Sequence, residues 1–111
     1  EAEYAPGTID VLDMRLVDAE ALPVGRVSAA AGEAAFRYVE KAIALAMADE
    51  VDGTVTNAFN KEAVNLAGHH FSGHTEVYAA YTHTKNYTMI WGVKYRVTAI
   101  WKNGRNKGYC F

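Results

Sequence analysis

The clearest periodicity in the chain runs from Ser28 to about Glu50. Phe36, Val39, Ile43 and Met47 recur at spacings of three, four and four, which predicts a helix with one buried stripe. The alanines between Ala29 and Ala48 favour a helix at little side-chain entropy cost and permit close packing. Ser28 is a natural N-cap, and Glu33 with Arg37 forms a favourable i,i+4 pair. Upstream, Thr8-Ile9-Asp10-Val11-Leu12-Asp13-Met14 with Leu16 and Val17 places apolar residues on both parities, the pattern of a strand buried on two faces. Pro6-Gly7 and Pro23-Val24-Gly25 bracket it as turns. Downstream, Val51-Asp52-Gly53 leads into Thr54-Val55-Thr56, a short β-branched strand.

Two shorter helices are expected next, from Asn60 to Leu66 with Asn60 capping and Gly68 ending it, and from His74 to about Tyr81. Tyr87–Trp91 and Tyr95–Trp101, separated by Gly92-Val93-Lys94, read as a hairpin. The polar stretch from Lys102 onward reads as a frayed tail over 102–111. The expected fold class is therefore α/β: one layered domain over 1–111, with one long helix and two short ones on about four strands. The first two strands, joined through the long helix, would be parallel neighbours, and the last two a hairpin.

Composition adds limits. With 111 residues, half of them hydrophobic, the chain suits one domain and not a disordered segment. Thirteen acidic and 11 basic residues leave a net charge of −2, which argues against nucleic acid as a partner. Cys110, the single cysteine, excludes an internal disulfide and a cysteine-based zinc site. No apolar run approaches the roughly 18 residues that span a membrane, so no membrane partner is expected and the location expected is cytoplasmic. The opening Glu1-Ala2-Glu3-Tyr4 lacks a methionine and reads as a piece of something longer, or as processed.

Candidate chemistry concentrates between Thr56 and Glu76. Gly73-His74-Thr75 stands where a helix begins, and the unpaired amides of a first turn favour an anion. A hydroxyl donates and an imidazole donates or titrates, so a phosphorylated small molecule suits this combination. His70 and His74 share i,i+4 spacing, but Ser72-Gly73 between them favours a loop over a helical metal pair. His83 reads as a solvated loop residue and Cys110 as an exposed thiol. Tyr87, Trp91, Tyr95 and Trp101 could stack bases, though core or patch roles are commoner. Lys94, Arg96, Lys102, Arg105 and Lys107 could touch an anion, and a solvated strand face with a basic tail explains them equally well.

The run Asn60-Lys61-Glu62-Ala63-Val64-Asn65-Leu66-Ala67-Gly68-His69-His70-Phe71-Ser72-Gly73-His74-Thr75-Glu76 resembles a segment of the 4-hydroxythreonine-4-phosphate dehydrogenase family, which includes relatives acting on four-carbon sugar-acid phosphates. Gly7-Thr8-Ile9-Asp10-Val11-Leu12, Ser28–Gly32 and Tyr38–Ile43 resemble the part of that family that precedes it. The resemblance implies an NAD-dependent, divalent-metal-dependent enzyme that works as a homodimer with sites at the subunit boundary. It assigns substrate contact to His74 and Thr75, and a supporting place to Lys61 and Gly73.

This chain also departs from the family pattern. Thr56-Asn57-Ala58 stands where the family has Thr-x-Pro, and Trp101-Lys102-Asn103-Gly104 stands where it places its first metal histidine. The family's other metal histidines would fall beyond Phe111. The expectation is thus a fragment or derived scaffold of such a dehydrogenase, inactive by itself. No catalytic residue and no metal ligand is assigned, and neither NAD nor metal is expected to bind this chain. A weak phosphate-binding module and an engineered structural protein without ligand are the alternatives. Strand edges and apolar patches left exposed would favour a homo-oligomer.

Overall fold

The computed structural model describes the backbone of residues 2–91, 96–102 and 105–110, and side chains over 2–88. Helix α1 spans Ala29–Met47, α2 Lys61–Leu66 and α3 His74–Tyr81. Strands β1 (Tyr87–Trp91), β2 (Arg96–Lys102) and β3 (Arg105–Cys110) follow. Both helices and sheet are present, so α/β holds as the broad class.

The stripe foreseen along α1 is the core. Phe36, Val39 and Ile43 meet Val64 of α2 and Val77 and Tyr78 of α3, with Met47, Phe59, Phe71 and Tyr81 packed around them. Ser28 caps α1 by accepting from the Ala31 amide at 3.5 Å, and Asn60 caps α2 by accepting from the Ala63 amide at 3.0 Å. Helix α2 ends where Gly68 takes φ +92, a left-handed conformation that glycine adopts without penalty. Close approach of α1 and α2 depends on Gly32. A Cβ there would fall on the Ala63 carbonyl and lie 2.7 Å from the Val64 nitrogen. Buried Tyr78 donates from its hydroxyl to Thr54 Oγ1 at 2.8 Å, which ties the segment before α2 to α3.

The strands depart from expectation at both ends of the chain. Neither 8–17 nor 54–56 forms a strand, so the parallel pair and the four-stranded count are corrected. Among the described residues the sheet has three strands in the order β1-β2-β3, all antiparallel. Ile9 is 90% exposed, Val11 79% and Val55 83%. A strand exists only when a neighbour takes its backbone N–H and C=O groups, and no described strand lies beside these segments. The hairpin is present, with Tyr87 opposite Ile100 and Trp91 opposite Arg96. Its connection at 92–95 and the side chains of Trp91, Tyr95 and Trp101 lie outside the described residues.

The tail is also corrected, since Arg105–Cys110 pairs with β2, Lys102 facing Arg105 and Val97 facing Cys110. The polar composition of the segment does not prevent this pairing, because strand pairing is made by backbone groups. Among the described residues no helix is long and apolar enough to cross a membrane.

Candidate functional site

The amino ends of α2 and α3 come together, and with them most of the residues the sequence singled out. Lys61 is the first residue of α2 and His74 the first of α3, with Gly73 as the cap of α3. A Cβ placed on Gly73 would lie 4.0 Å from Lys61 Cε and 3.4 Å from Glu76 Oε2, so the lysine stem and the glutamate carboxylate flank the turn. Gly73 has φ 173, extended backbone open to any residue, so nothing in its conformation demands glycine. Its contribution is the absence of a side chain over the first turn of α3.

The ring of His74 packs against Phe59, centroids 3.9 Å apart and tilted by 50°, and its Nε2 is buried. Thr75 is buried at 7% exposure, while Lys61 is exposed. The four predicted residues therefore share one locality at different depths: an exposed ammonium, a half-buried imidazole and a buried hydroxyl around a helix start. Positive charge from Lys61 and the first turn of α3 favours an anion, and Glu76 in that same turn opposes it. An anion held here therefore depends on Lys61. Phe59 also lines a cleft of about 310 Å³ with Tyr38, Val39, Val55, Thr56 and Asn57.

The two histidines at i,i+4 do not share a helix: His70 is exposed in the loop before α3, and His74 is on α3. His83, exposed with φ 54, follows the end of α3. Cys110 lies in β3, and its side chain is outside the described residues. Among the described residues no three His, Cys, Asp or Glu side chains gather so as to hold a metal ion.

One cluster escaped the sequence reading. His69 Nε2 and Glu33 Oε2 are 2.6 Å apart although 36 residues separate them. Its ring stacks on Phe36 at 3.7 Å and 8°. Glu33 also accepts from Arg37 Nε at 2.7 Å, and Arg37 Nη1 donates to Glu40 at 2.8 Å. The hydrogen bond from His69, then that from Arg37, hold the Glu33 carboxyl below its ordinary range. Glu40 and Glu33 raise the Arg37 pKa further. Burial, followed by the Glu40 charge, raises that of the Tyr81 hydroxyl. The Glu33–Arg37 and Arg37–Glu40 links are local and have the spacing of helix-face pairs, whereas the link to His69 has no such signal.

The family described as "Pyridoxal phosphate biosynthetic protein PdxA" matches residues 1–100. The chain belongs to this family. Similar proteins show the degree of likeness. The D-threonate 4-phosphate dehydrogenases of Salmonella typhimurium and Cupriavidus necator are each 47% identical over 90 residues, 81% of this chain. The solved 4-hydroxythreonine-4-phosphate dehydrogenase of Klebsiella pneumoniae superposes with TM-score 0.75 at 42% identity, covering 86% of this chain and 29% of that one. The Burkholderia phymatum protein of the same description superposes with TM-score 0.73 at 39% identity. The chain spans 28% of the length of the Salmonella relative and 27% of the Cupriavidus one.

Proposed function

We propose that this chain carries the phosphate-recognising part of the substrate site of a dehydrogenase of phosphorylated hydroxy acids, such as 4-hydroxythreonine 4-phosphate or D-threonate 4-phosphate. In this reading the first turn of α3 and the Lys61 ammonium receive the phosphate. His74 and Thr75 donate to the substrate, and Gly73 leaves the approach open. The oxidation uses NAD and a divalent metal held by parts of the fold beyond these described residues, and this chain does not turn substrate over by itself. The protein acts in the cytoplasm and as a homo-oligomer, in which a second copy shields exposed apolar surface. The convergence of Lys61, Gly73, His74 and Thr75 at one helix start supports the reading most directly.

Calorimetric titration of the chain with D-threonate 4-phosphate and with inorganic phosphate tests it. Binding in the millimolar range that weakens about tenfold in Lys61→Ala is expected, from the loss of one charge-assisted contact. Absence of binding at millimolar ligand overturns the phosphate site. Reduction of NAD by the chain in the presence of substrate and divalent cation overturns the claim that it is inactive by itself.

A further inference from the structure

The loop from Gly68 to Gly73 decides where α3 begins, and it is fastened to α1 at a point remote in sequence. Two rings of the loop lie on the buried Phe36: His69 at 3.7 Å, and Phe71 with centroids 5.7 Å apart at 18°. An ionised carboxylate only accepts, so His69 Nε2 is the nitrogen that carries the proton toward Glu33. Arg37, bonded to both Glu33 and Glu40, holds the carboxylate in place from the opposite side. We infer that the Glu33–His69 pair is a latch: it fixes the 68–73 loop on α1 and thereby sets the position of Gly73, His74 and Thr75 relative to Lys61. His69 and Glu33 are positioning residues in this account. The inference rests on the phosphate-site reading for its purpose, but not for its test.

The latch carries a pH signature. The groups facing Glu33 are His69 from the loop and Arg37 from α1; Glu40 and Tyr81 stand behind Arg37. Because the Glu33 carboxyl titrates below its ordinary range, its contribution is complete at and above that range. It is lost only as pH falls through the lowered value.

Amide hydrogen exchange on the 111-residue chain reads the latch directly. His69→Phe keeps a ring on Phe36 and removes the donor, while Glu33→Gln keeps the shape and removes the charge. Each is expected to speed exchange at residues 69–75 about tenfold, as for one lost charged hydrogen bond. The double variant should be no faster than either single one, because both remove the same contact. In the wild-type chain the loop's protection, corrected for intrinsic exchange, should fall at low pH, and Glu33→Gln should abolish that step. Unchanged exchange in the loop, or additive effects in the double variant, overturns the latch. Loop loosening in a chain that never binds phosphate upholds the latch and removes the phosphate site instead. Should His69→Phe fail to fold, the pH step in the wild type and its loss in Glu33→Gln decide the matter.

Discussion

The three helices and the extended segment 8–17 are all rich in apolar residues, yet their fates differ. Residues 29–81 close a core around Phe36, Val64, Val77 and Tyr78. Segment 8–17 carries Ile9, Val11 and Leu12 into solvent at 90, 79 and 63% exposure, and Val55 lies 83% exposed between Thr54 and Thr56. A helix satisfies its backbone within itself and needs only one apolar face covered. A strand needs a neighbour before its side chains have a face to cover. The Cα radius of gyration, 15.3 Å, exceeds the about 13 Å expected for a compact chain of this length, in keeping with a core that gathers only part of the molecule. Hydrophobic residues are therefore poor evidence of a core until the backbone partners of their element are known.

Substitutions on the two sides of this divide should differ sharply. The largest effect is expected from Gly32→Ala. Its new methyl meets the Ala63 backbone, which has no flexible end to yield. A loss of about 3 kcal/mol, at the upper end for overpacking, should appear in urea unfolding, and a neutral result would mean that α1 and α2 are not in close contact. Tyr78→Phe should cost about 1–2 kcal/mol, since the buried Thr54 hydroxyl loses its donor. This bond joins the helical core to the extended 54–56 segment, so thermal unfolding of this variant measures how firmly it couples the two regions. In the monomeric chain, at concentrations too low for self-association, Ile9→Ser and Val55→Ser should fall within about 0.5 kcal/mol of wild type, because neither side chain is withdrawn from water by the rest of the chain. A loss of 2 kcal/mol at either position would show that the exposed segments are covered in solution and would erase the contrast.

How far the sequence could be read follows the same division. The α1 stripe, the Asn60 cap, the Gly68 stop and the bounds of α3 are local patterns, and each is found where the spacing puts it. The hairpin of β1 and β2 is equally plain, whereas the polar composition from Lys102 onward hides β3. At the candidate site, Lys61, Gly73, His74 and Thr75 were named from the sequence, but their depths were not. Burial of Thr75 and the packing of His74 on Phe59 depend on how α2 and α3 meet. The Glu33–His69 contact had no signal at all, since no spacing rule links residues 36 apart.

Periodicity along the chain determined which stretches become helices and which residues of α1 face inward, because the rise and turn of a helix follow from hydrogen bonds between near neighbours. The tertiary structure alone decided that the β-prone stretches 8–17 and 54–56 form no strand, how deep the helix-start residues sit and which carboxylate meets His69. Those outcomes depend on groups brought together from distant parts of the chain, and no local energy term distinguishes them in advance.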